Sequence, residues 1–136
     1  MTNSYVILKS EKEIIRVPID RLMYIKVDGG LMTYNMEGNV TFSCIGTLKK
    51  IEQSLSNSFI RINRSYLVNI NKVVSLNKVK KQIVMIDGSR HKVSERRLVY
   101  FKRLFINLSV SANDYPSLKT FLTNDKRQQS TDSAIV

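Results

Sequence analysis

The stretch FIRINRSYLVN, Phe59 to Asn69, sets Arg61, Asn63, Arg64, Ser65 and Tyr66 inside an apolar frame of Phe59, Ile60, Ile62, Leu67 and Val68. Solubility needs charge on a surface, but it does not need that charge interleaved with small polar groups of fixed reach. The frame reads as an anchor in a core, and the polar set as a contact surface held against it. FIRI reads as a strand. NRSYLVN reads as a compact turn of helix with Asn63 or Ser65 near its start, since both residue types serve as helix caps.

Charge along the chain points the same way. The 136 residues carry a net +11. Residues 1–58 hold 7 Lys/Arg and 6 Asp/Glu, and residues 107–136 hold 3 of each. Residues 59–106 hold 12 Lys/Arg against only Asp87 and Glu95, a net of +10. Self-repulsion within such a block opposes compaction, so the asymmetry argues for a polyanionic partner over a merely solvated face.

The other global features narrow the class. The length suits one domain with a real core, and 43% hydrophobic residues is the composition of a folded protein. There is no apolar run of about 18 residues, and MTNSYVILKSEKEII has neither a basic start nor a long apolar segment, so a cytoplasmic location is expected. One cysteine, Cys44, and one histidine, His91, cannot assemble a zinc site, so no metal or cofactor is expected. Cys44 reads as a small core hydrophobe. His91, in a basic context, reads as a surface residue. The acids are scattered and no phosphate-cradling glycine loop is present, so neither catalysis nor a small-molecule substrate is indicated.

Outward from the opening stretch, β-branched alternation and turn signals predict short antiparallel strands. They cover YVILKS, EIIRVPI, MYIKV, LMTYNM and VTFSC before it, with Asp20 capping a brief helical turn and Asp28-Gly29-Gly30 and Glu37-Gly38-Asn39 as reversals. VVSLN, QIVMID and RHKVS follow it. The period changes twice. Leu48, Ile51 and Leu55 after Thr47 predict a helix of about two turns, and Leu98, Phe101, Leu104 and Phe105 after Ser94 predict a second. Glu95 in its first turn and Lys102 and Arg103 in its last suit the helix dipole. A short helix around Ser117–Leu122 and a fraying polar end are expected beyond. The fold class is therefore mostly β, with two short amphipathic helices.

Two clusters combine cations with hydroxyl and amide groups: Arg61, Asn63, Arg64, Ser65, and Arg90, Lys92, Ser94, Arg96, Arg97. Lys and Arg neutralise phosphates, small polar side chains fix register, and an arginine reads guanine bidentately. Tyr66 divides between core packing and DNA contact, while Asn69 reads as structural, an amide satisfying turn backbone.

The run FIRINRSYLVNINKVVSL, followed by IVMIDGSRHKVSERRLVYFKRLF, resembles the LytTR-type DNA-binding domain of bacterial transcription regulators. The resemblance rests on Arg61, Arg64, Ser65, Tyr66 and Val68-Asn69, then Asp87-Gly88 and Ser94-Glu95-Arg96, and takes in VPIDRLMYIKVDGG and TLKKIEQSL upstream, roughly residues 5–106. It implies an elongated antiparallel β fold that binds double-stranded DNA through loops in successive major grooves. Carried over by position, the base readers are Arg64 and Arg96. Arg61, Asn63, Ser65, Lys92, Ser94 and Arg97 fall on backbone-contacting positions. The first-loop contact falls on Gly30, Leu31 and Met32, where no basic or imidazole side chain stands; Asn63 stands where the family often has histidine.

The expected organisation is a DNA-binding domain over 1–106 and a C-terminal extension over 107–136, without the receiver domain that family members commonly carry. Repeated half-sites, a homodimer on DNA and a regulatory protein partner are the arrangements this leaves open. The alternatives are an RNA-binding module and a basic adaptor for an acidic protein.

Overall fold

A computed structural model of the protein describes residues 5–110 and 112. Its contacts divide the chain into two units, Met1–Phe101 and Lys102–Val136. The first holds every strand of the described residues.

β1 (Tyr5–Lys9) and β2 (Ile14–Pro18) form an antiparallel hairpin that buries Val6, Leu8 and Val17. A 3-10 turn, Ile19–Arg21, follows Pro18; Asp20 lies inside it rather than capping it. β3 (Leu22–Asp28), β4 (Leu31–Met36) and β5 (Val40–Ile45) then meander. Asp28 pairs with Leu31, so Gly29-Gly30 is a two-residue loop, and φ values of +58° and +84° explain why both positions are glycine. Thr47 accepts a bond from the Lys50 amide and starts α1 (Leu48–Glu52). This helix is shorter than two turns; a closing turn through Ser54 brings Leu55 into the core.

β6 (Phe59–Asn63) and β7 (Tyr66–Asn69) form the next hairpin, followed by a 3-10 turn, Ile70–Lys72. The helical turn expected over NRSYLVN is thus a hairpin, and the reason is local. The Asn63 carboxamide oxygen accepts the amides of Ser65 and Tyr66, a bond that serves equally to cap a helix or to close a tight turn. β3 offers an edge to Tyr66, Leu67 and Val68, and pairing there selects the turn. β8 (Val73–Asn77), β9 (Gln82–Met85), β10 (Arg90–Lys92) and α2 (Glu95–Asn107) complete the described chain. Because α2 runs to Asn107, Lys102 and Arg103 precede its last turn, which holds no basic residue. The helix expected around Ser117–Leu122 lies outside the described residues.

The strands make three antiparallel sheets, ordered β1-β2, β5-β4-β3-β7-β6 and β10-β9-β8. One face of the five-stranded sheet packs Ile25, Tyr34 and Leu67 against Leu48 of α1 and Val6, Leu8 and Val17 of the first hairpin, with Cys44 half-buried at its margin. Among the described residues no helix is long and apolar enough to cross a membrane.

Asn69 locks the second hairpin to β3. It is buried, donates from its amide nitrogen to the Leu22 carbonyl at 3.0 Å and accepts the Asn71 amide at 3.0 Å. Asn69→Ala removes these partners from the buried Leu22 carbonyl and from the part-buried Asn71 amide and is expected to cost about 1–3 kcal/mol of stability. A urea melt checks this through a lowered midpoint at unchanged slope.

Candidate nucleic-acid interface

The two polar clusters, separated in sequence, share one backbone frame. Arg64 and Ser65 are the two-residue tip between β6 and β7, and the Val27 amide of β3 donates to the Ser65 carbonyl at 2.9 Å. Asn63, beside the tip, has a second bond: its amide nitrogen donates to the Lys92 carbonyl of β10 at 2.7 Å. The Ser94 amide donates to the Ile62 carbonyl at 2.9 Å, and the Arg97 amide to the Ser94 carbonyl at 3.0 Å, which begins α2. The Arg97 guanidinium reaches back to the Arg61 carbonyl at 3.5 Å. A net worth of roughly 0.5–1.5 kcal/mol per bond is modest, but the set fixes the relative position of two loops before any ligand arrives.

Within that frame the predicted residues separate into free and engaged. Arg64, Lys92 and Arg96 are exposed, as is Arg90; Ser65, Ser94 and Arg97 are half-covered. Arg61 is engaged: its side chain is 19% exposed, paired with Glu52 at 3.5 Å and bonded to the Arg64 carbonyl at 3.1 Å. Asn63 has both ends of its carboxamide committed. These two, expected at the DNA backbone, hold the loops in place. Lys81 and Glu95 form an ion pair between the β8–β9 turn and the start of α2, and the Val93 amide donates to the Lys81 carbonyl at 2.8 Å.

The Gly29-Gly30 loop lies at the same end of the five-stranded sheet as the Arg64-Ser65 tip, since Lys26 of β3 pairs with Tyr66. Gly30 and Leu31 are exposed there, but Met32 is 5% exposed and packs in the core, which corrects its reading as a surface contact.

His91 corrects a second expectation. It is buried, not a surface residue, with its ring 4.5 Å from that of Tyr24 and 4.7 Å from that of Tyr66. The Ser89 hydroxyl donates to the Asp87 carboxylate at 2.6 Å, so its single proton is used, and the 2.9 Å contact with His91 requires Nε2–H to donate. Burial pushes the imidazole pKa down; Asp87 opposes this and the Lys26 charge adds to it, leaving the ring below its usual value of 6.5. Burial would raise the Asp87 carboxyl, but the Ser89 hydroxyl and amide outweigh it and hold the group low. The signal available in sequence was the alternation Arg90, His91, Lys92, Val93: the first and third are exposed, the second and fourth buried.

Residues 12–106 match the family model of the LytTr DNA-binding domain. Among solved structures, the chain is similar to the LytTr DNA-binding domain of a Bacillus cereus protein described as a methyl-accepting/DNA response regulator. Identity is 30% over 76% of this chain and 98% of that one, with a TM-score of 0.66. No curated protein matches the chain.

The His91 cluster carries a pH dependence of fixed sign. A folded pKa below the unfolded one means that the unfolded chain binds the proton first, so the contribution is complete above pH 6.5 and is lost as the pH falls toward the depressed folded value. Urea midpoints taken from pH 7.5 down to 5 are expected to fall more steeply for the wild type than for His91→Gln; parallel curves would exclude the imidazole as the source.

Proposed function

Because the chain belongs to the LytTR DNA-binding domain family, we propose that it regulates transcription by sequence-specific binding of double-stranded DNA, with two loops entering successive major grooves. Membership implies the coarser role, DNA binding in transcriptional regulation rather than catalysis. The finer reading rests on one observation: exposed Arg64, at the β6–β7 tip, and exposed Arg96, in the first turn of α2, belong to segments tied together through the bond from Asn63 to the Lys92 carbonyl.

Arg64 and Arg96 are the base readers in this proposal, each presenting the guanidinium fork to guanine O6 and N7. Lys92 and Arg90 neutralise phosphates, and the half-covered Ser65, Ser94 and Arg97 set register. Tyr66 and Tyr24 are packed on the His91 ring, which leaves no free stacking platform there and favours duplex DNA over single-stranded RNA. Two copies on half-sites about one helical turn apart are the arrangement proposed for regulation, with a protein partner as the input and the cytoplasm as the place of action.

Selection of bound duplexes from a random-sequence pool, at physiological salt with nonspecific competitor, tests the reading by enrichment of a short motif. On the selected site, Arg64→Ala and Arg96→Ala are each expected to cost about 1–3 kcal/mol and to relax one base position. Equal losses on the selected and a scrambled duplex would remove the reading role. An unenriched pool combined with tight binding to an acidic protein would favour the adaptor alternative.

A further inference from the structure

Neither loop contains Lys26, yet β3 delivers it beside them. Lys26 is exposed and pairs directly with Tyr66, the residue after the Arg64-Ser65 tip. Its chain neighbour Val27 holds the Ser65 carbonyl. Residues directly opposite on antiparallel strands point to the same face, with Cα atoms about 4.5–5.5 Å apart. On its other side Lys26 pairs with Thr33 of β4, and Thr33 with Ser43 of β5. The cross-strand row Ser43, Thr33, Lys26, Tyr66 therefore spans three strand gaps, roughly 14 Å at about 4.8 Å each.

The row is chemically uniform. It holds two hydroxyls bonded to each other at 3.2 Å, one ammonium and one phenol, with no carboxylate among its four members. Among the described residues Lys26 forms no ion pair, although Arg61, Lys72 and Lys81 each have one. It lies on the sheet face where Tyr24 and Tyr66 meet His91 of β10, whose chain neighbours Arg90 and Lys92 are exposed. Ile25 and Tyr34 point to the opposite face, the one α1 covers.

We propose that this row is a third DNA contact: Lys26 neutralises a backbone phosphate of the duplex held by the two loops, and Thr33 and Ser43 donate to phosphate oxygens beyond it. The inference rests on the DNA reading of the loops. It places a cation from a strand, not from a loop tip, at the end of the sheet where the Gly29-Gly30 loop has none. Hydroxyl and ammonium groups on a rigid sheet suit phosphate, which demands charge and donors but no base-specific pattern.

The test is a salt titration of the full chain binding a random-sequence duplex, read by fluorescence anisotropy. The set is wild type, Lys26→Ala, Lys26→Arg, Lys92→Ala and, as a control on the α1 side, Lys50→Ala. Loss of one phosphate contact lowers the slope of log K against log salt by about 1, so the deficit of Lys26→Ala should shrink roughly fourfold between 50 and 200 mM salt. Lys26→Arg is expected to restore the slope and Lys50→Ala to leave it unchanged. A wild-type slope in Lys26→Ala overturns the inference. If Lys92→Ala lowers the slope in that same series, only the sheet contact falls; if it too keeps the wild-type slope, the DNA reading of the loops falls with it.

Discussion

The Asn63 carboxamide is the constraint on which the rest of this surface depends. Its oxygen closes the β6–β7 turn on the amides of Ser65 and Tyr66, and its nitrogen grips the Lys92 carbonyl of β10. One short side chain thus sets a hairpin tip of the five-stranded sheet against the edge of the three-stranded sheet. Joined, they present arginines at a spacing that the backbone determines, and a ligand that binds them meets less disorder to remove.

The cost of this arrangement is electrostatic. A block with net +10 gathers cations that repel one another, and three devices offset it. Arg61 is turned inward to Glu52, Lys81 is paired with Glu95, and Lys72 with Glu37 at 2.7 Å. Lys26, Arg64, Arg90, Lys92 and Arg96 are left in water, where screening keeps their repulsion small until a polyanion replaces the counterions. The neutral His91 fits the same logic. A buried imidazolium near the Lys26 charge would add charge where it is least tolerable, and burial keeps the proton off.

The strand-and-turn plan was legible because it is written in short-range terms. Period-two alternation, Gly29-Gly30 with positive φ, and the Thr47 cap act within a few residues and leave marks in the order of the chain. The misreadings have a common cause. Asn63 before Arg64-Ser65 looks the same whether it starts a helix or closes a hairpin, and the choice is made by β3, some forty residues earlier in the chain. His91 seemed exposed because its neighbours in sequence are cations, while its neighbours in space are rings from β3 and β7.

The fold class, the concentration of positive charge in residues 59–106 and the family to which the chain belongs can all be read from residue order, because composition, periodicity and an ordered motif are properties of the chain alone. Which polar side chains stay unengaged depends instead on contacts between distant parts of the chain. Arg61 and Asn63 carry the same kinds of groups as Arg64 and Ser65, yet the first two are engaged by Glu52 and by backbone carbonyls and amides. A donor has a fixed number of bonds to give, and whether the protein uses them is settled by what long-range pairing brings within about 3 Å.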